Sequence, residues 1–307
     1  MPICGADAAP ADAASFDVEP VDVEAGVVEA IRRFELPPTL GFGTVAAPVM
    51  FMADWVGGRW QRGRLCPHAP IRIEPGARAL QYGELVFEGL KAYRVGGEWP
   101  NLFRPRENWL RLFRSCERLA MPPVPEDLFF QAVDSVVAAC APIIPHESGR
   151  SLYLRPFVFG SESGYLVRNS TAFTFMVIAN PVEIYASGAM RVAIERDDVR
   201  AAVGGVGAAK TSANYAASLR ASSAAVAAGM TVALWLDARE QRWIQELSGM
   251  NVFAVIDGEL HTPSLDGAIL AGVTRSSLLT LGPRLGYVVH ERRMAIDELL
   301  GQIESGR

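Results

Sequence analysis

Apolar positions in this chain follow two periods, and the change between them marks out its elements. In RPRENWLRLFRSCERLAM, residues 104–121, Trp109, Leu112, Phe113, Cys116 and Leu119 recur at helical spacing and form one stripe on an arginine-rich surface. PEDLFFQAVDSVVAACAPIIP, residues 125–145, opens on proline and acids and closes on prolines, which predicts a second helix. SLYLRPFVFGSES, residues 151–163, alternates instead: Leu152 and Leu154 face one way, Tyr153 and Arg155 the other. A phenol and a guanidinium on one face describe either a polar pocket wall or an exposed sheet face. APVMFMADWVGGRW and LQYGELVFEGLKAYR read as strands or hairpins with glycine turns, and TAFTFMVIAN as a buried strand.

PVEIYASGA, residues 181–189, reads as a linker. Beyond it the pattern predicts the strand MRVAIERDDV, the alanine-rich helix SANYAASLRASSAAVAAG stopped by Gly229, the buried strand TVALWLDA, a hairpin around Asp257-Gly258, and a helix opening at GVTRSS. Strands and helices mixed in this way give an α/β (α+β) chain. It divides into an acidic leader with the start of a first domain over residues 1–35, the body of that domain over 36–180, a linker over 181–189 and a second domain over 190–307.

Composition narrows the function classes. The chain has 307 residues, 50% hydrophobic and 21% charged, with a net charge of -5, and shows neither a basic run for nucleic acid nor an apolar run of membrane-spanning length. Seven acids precede the first cation, Arg32, which is the reverse of a signal or transit peptide and predicts a cytoplasmic protein with a mobile leader through about Gly26. Cys4, Cys66, Cys116 and Cys140 are widely spaced, which predicts neither a disulfide framework nor structural zinc.

The most informative imbalance is in the cations: two lysines, Lys91 and Lys210, against 27 arginines. A chain this biased has exchanged lysine wherever either cation serves. Those that remain include positions needing a deprotonable primary amine, as an imine with a carbonyl does, unless they survived by chance. Lys210 lies in GGVGAAKTSANYAAS just before a helix, with Tyr215 five residues on; Glu246 sits in WIQELSGMN after a strand. AGVTRSS offers backbone amides and a threonine hydroxyl at a helix start, an anion site. An amine for an aldehyde, a carboxylate for a pyridine nitrogen and a cup for a phosphate are the requirements of pyridoxal 5'-phosphate.

On these stretches, together with LYLRPFVFG, LWLDARE, TPSLDGAILAGVTRSSLLTL and ERRMAIDELL, the sequence resembles the branched-chain amino acid aminotransferases of the fold-type IV pyridoxal phosphate enzymes, from about Gly41 onward. The resemblance implies a two-domain fold with the cofactor between the domains and the active site completed in a homodimer. It implies that Lys210 binds the cofactor aldehyde and moves the proton, that Glu246 pairs with the pyridine nitrogen, and that Tyr215 bonds the ring oxygen. Arg111, Val273 and Thr274 would hold the phosphate, Ser248 and Gly249 would bind the cofactor, and Tyr82, Phe87, Tyr153 and Arg155 would shape the substrate pocket, with Arg155 pairing with a substrate carboxylate. Lys91 has no cofactor role in the family. The implied reaction transfers the amino group of leucine, isoleucine or valine to 2-oxoglutarate; D-amino acid aminotransferases and aminodeoxychorismate lyases share the lysine and glutamate and stay open as alternatives, as does a non-catalytic relative. The family continues past LLGQIESGR into a further strand and a Gly-Thr-Ala turn, so the resemblance also implies an incomplete copy or a weakly active relative.

Overall fold

The alternating segments of the first half build one nine-stranded sheet. The structure is a computed structural model that describes residues 20–94, 99–184 and 188–306. The sheet runs β1 (Asp22–Val23), β4 (Arg64–Pro67), β2 (Val49–Val56), β9 (Phe173–Val182), β8 (Ser151–Gly160), β6 (Leu90–Tyr93) and β7 (Asn101–Leu102), with β3 (Arg59–Trp60) hairpinned onto β2 through Gly57-Gly58 and β5 (Leu85–Phe87) on β8. One face carries the largest core, where Phe51, Leu152, Leu154, Phe175 and Val177 are buried under α3 (Pro105–Arg118) and α4 (Glu126–Cys140). The helical stripe Trp109, Leu112 and Cys116 is buried here; α1 (Val27–Arg33) packs by the same face.

The sequence suggested a glycine turn within LQYGELVFEGLKAYR, which holds two glycines, and the chain keeps its sheet register past the second, Gly89. β5 and β6 pair with β8 in one unbroken antiparallel register, from Leu85 opposite Phe159 to Ala92 opposite Leu152. Gly89 is required by a close approach instead: a Cβ there would lie 2.2 Å from Tyr153 Oη. The turn falls earlier, at Gly83, whose positive φ of 65° ends the short helix α2 (Arg78–Tyr82).

Two smaller sheets use only later residues: β10 (Val192–Ile194), β11 (Val232–Leu236) and β12 (Ile244–Leu247) form one, and β13 (Ala254–Ile256), β14 (Glu259–Thr262) and β15 (Val289–Glu291) the other. The Asp257-Gly258 hairpin has positive φ at both residues, as its sequence requires. Around these sheets pack α5 (Ser212–Ala227), α6 (Val273–Arg284) and α7 (Ile296–Ser305). Two boundaries differ from the sequence reading. The leader does not extend to Gly26, because Asp22 and Val23 pair with the free edge of β4 and Gly26 opens α1. β9 continues through Val182, two residues into the expected linker, because β8 still offers a partner at Ser151; residues 185–187 lie outside the described chain.

Candidate active site

Lys210 is held by both halves of the chain. Its carbonyl accepts from the Phe87 amide at 2.9 Å, its amide donates to Ser115 Oγ at 2.9 Å, and the following Thr211 Oγ1 donates to the Leu85 carbonyl at 2.7 Å. Asn214, one turn into α5, donates to the carbonyls of Val206 and Ala209 and so closes the loop that presents the lysine. Nothing in that loop can thicken: a Cβ on Gly207 would meet the Ala268 carbonyl oxygen at 2.3 Å.

The amine points into a cavity of about 600 Å³ between the large sheet and α6. Nζ donates to Tyr215 Oη at 2.7 Å and lies 4.8 Å from the Phe87 ring centroid. Burial, then the Arg111 charge, lowers the Lys210 pKa to about 8, so the free amine is a substantial species near neutral pH. Burial raises the Tyr215 phenol, so the hydroxyl beside the amine is neutral.

Across the cavity Glu246 is 5% exposed. Burial raises its pKa to about 7 even though Arg200 Nη2 is 2.7 Å from one oxygen and Asn251 Nδ2 donates to the other at 2.9 Å. Asn251 also donates to the Leu270 carbonyl, tying the carboxylate to the approach of α6, and Gly272 must lack a Cβ because Asn251 Oδ1 would lie 2.0 Å from it. At the α6 N-terminus Val273 and Thr274 line the cavity and bring amides that have no intrahelical acceptor. Arg111 reaches the same end from α3, donating to the Ala271 carbonyl at 3.1 Å and forming a two-pronged pair with Glu88 at 2.7 and 2.9 Å.

The structure therefore brings Arg111, Tyr153, Lys210, Tyr215, Glu246, Ser248, Gly249, Val273 and Thr274 around one cavity. Phe87 and Arg155 sit just behind it: the Arg155 guanidinium stacks 4.4 Å over the Phe87 ring and Nη2 donates to Tyr153 Oη at 2.8 Å. Tyr82 is not brought there. The Gly83 turn directs it away, leaving it 46% exposed, with its hydroxyl donating to the Tyr165 carbonyl beside a separate cavity of about 420 Å³. Sequence reasoning missed Glu88, Arg200, Asn251 and Asn214. Glu88 carried a usable signal, a carboxylate inside an apolar strand, where burial demands a partner.

Residues 85–304 match the family model for amino-transferase class IV. Branched-chain-amino-acid transaminase 1 of Bacillus subtilis is 44% identical over 268 residues, which span 86% of this chain and 75% of that one. A probable branched-chain-amino-acid aminotransferase of Streptomyces coelicolor is 42% identical over 271 residues, 87% of this chain and 75% of the relative. Among solved structures, the branched-chain aminotransferase of the thermophilic archaeon Thermoproteus uzoniensis with norvaline superposes with a TM-score of 0.67 at 28% identity, covering 81% of this chain and 80% of that one. The chain belongs to the class IV aminotransferases, in their branched-chain-amino-acid branch. The α/β reading and the choice of cofactor, pyridoxal 5'-phosphate, are borne out.

The residues present fit that cofactor. Glu246 is a buried carboxylate held for a cationic partner at the cavity wall, and Arg200 Nε beside it is buried with no acceptor. The α6 amides and Arg111 converge on one end for an anion, and Lys210 faces the space between.

Proposed function

We propose that this protein transfers the amino group of branched-chain L-amino acids to 2-oxoglutarate, with Lys210 as the catalytic residue. The observation that carries the reading is the pairing of Lys210, its pKa lowered to about 8, with buried Glu246 across a cavity closed by a helix N-terminus. Bound there, pyridoxal phosphate supplies an aldehyde for the lysine and an electron-withdrawing ring.

Lys210 Nζ takes the substrate's α-proton and returns it, which a lowered pKa permits near neutral pH. Tyr215 accepts from the Lys210 amine at 2.7 Å and keeps it oriented, and its hydroxyl would bond the ring oxygen of the bound cofactor. Glu246, positioned by Arg200 and Asn251, stabilises positive charge on the ring nitrogen. Arg111, Val273 and Thr274 would hold the phosphate, and Ser248 and Gly249 would add contacts to the cofactor from the same cavity wall. Phe87, Tyr153 and Arg155 form the substrate wall. We further propose the division at residues 181–189, a homodimer and a cytoplasmic location; no helix among the described residues is long and apolar enough to cross a membrane.

With only two lysines, one experiment tests the assignment cleanly. Borohydride reduction of the yellow holoenzyme should fix the cofactor on Lys210, and Lys210→Ala should abolish both the visible band and turnover. Label on Lys91 would overturn it. Side-by-side assays with L-leucine, D-alanine and aminodeoxychorismate separate the class IV alternatives, with L-leucine expected to be the substrate.

A further inference from the structure

Of the four histidines in the chain, His68 and His146 are single exposed residues, whereas His261 and His290 meet on the last sheet. β14 and β15 run parallel with these two in register, so their side chains leave one face next to each other. The rings stack at 4.6 Å between centroids with 14° between their planes. Glu259, two residues before His261, shares that face by the alternation of the strand, and its Oε2 lies 2.6 Å from His290 Nε2. One ligand atom from each of the three falls within 4.8 Å of the others. None of the three lines the Lys210 cavity.

Two imidazole nitrogens and a carboxylate oxygen are the ligand set of a borderline divalent cation of the zinc class; calcium and magnesium favour oxygen alone. Ligands about 2.1 Å from a tetrahedral zinc ion stand about 3.4 Å from one another. Small side-chain rotations close the present spread to that, and Glu259 and His290, with side chains 44% and 38% exposed, have room to make them. The His261 lone pair is already in use on this face. Arg292 donates from Nε to His261 Nδ1 at 3.2 Å, while its outer nitrogens make a two-pronged pair with Glu298. A metal can take the place of that single N–H, because Glu298 keeps Arg292 neutralised when it lets go. With Glu259 and Glu298 set against Arg292, the cluster also keeps an excess of negative charge.

The position has a structural meaning. β14 leads into α6 and α6 returns into β15, so a bond between the two strands closes the base of the crossover that presents Val273 and Thr274. We propose that Glu259, His261 and His290 bind one divalent cation of the zinc class, in a structural site that ties β14 to β15 beneath α6. This site is independent of the function proposed above.

Equilibrium dialysis of the holoenzyme against zinc chloride in a non-chelating buffer tests it. One zinc per chain should bind, magnesium at the same concentration should not displace it, and bound zinc should raise the melting temperature. His290→Gln should weaken binding by about a hundredfold or more, since losing only a hydrogen bond to a metal ligand costs about 10- to 100-fold. Glu259→Gln, a near-isosteric change at a part-exposed hairpin residue, should weaken it as well, and Arg292→Met should tighten it by freeing His261. Less than one zinc per chain, or zinc bound equally by the unaltered protein, Glu259→Gln and His290→Gln, overturns the proposal and assigns any binding to exposed His68 and His146 or to the cofactor.

Discussion

Lys210 sits where a charged amine is unwelcome, and its thermodynamic cost has a definite pH signature. Its pKa falls to about 8 in the fold, whereas an unfolded lysine titrates near 10.4. Below pH 8 the amine is protonated in both states and the folded protein bears the full penalty; between 8 and 10.4 the folded state binds fewer protons and the penalty fades. Apo Lys210→Met should therefore melt above the unaltered apoprotein at pH 7, and the gap should close by about pH 10.5. A constant gap across that range would assign the difference to packing. At this scale the sequence was legible wherever chemistry restricts residue choice. Lys210, Glu246 and Tyr215 stood out because few residue types can do their work. Arg200 and Asn251 did not, because a supporting hydrogen bond can come from many residues and only the fold says which one stands close.

Among the elements, the strand through Gly89 links packing to the site. Gly89→Ala would drive a methyl into Tyr153 Oη, 2.2 Å away, in a wall where Tyr153 also accepts a hydrogen bond from Arg155. We expect about 1 to 3 kcal/mol of lost stability from the overpacking, with substrate KM rising more than cofactor affinity falls if Tyr153 serves the proposed substrate wall. Equal losses in both would place the strain nearer α3. Periodicity made α3, α4 and β8 readable in the sequence, because each buries one face against a continuous partner. It predicted a glycine turn in LQYGELVFEGLKAYR but not which of its two glycines makes it, because glycine at a turn and glycine at a close approach look alike in sequence; the difference lies in Tyr153, more than sixty residues from Gly89.

In the molecule as a whole, the cavity is where the two halves are joined. Besides Arg111, Arg104 at the start of α3 donates to Ser277 Oγ at 2.6 Å and to the Val273 carbonyl at 3.2 Å, gripping the first turn of α6. A ligand that touches Arg111, Lys210 and α6 together binds only the folded arrangement in which these groups meet. Removing the cofactor should therefore lower the melting temperature, by the equivalent of about 2.7 kcal/mol relative to cofactor at a hundred times its Kd, and Arg104→Met should diminish that difference. A cofactor shift unaltered by Arg104→Met would show that the grip does not couple the halves. The confinement of both lysines to the cavity has a practical consequence. Lys91 and Lys210 line that cavity and are only partly exposed, so amine-directed dyes and crosslinkers will find few ε-amines to acylate elsewhere. Whatever side-chain labelling they achieve is a measure of how open the cavity is, and it should fall as substrate fills it.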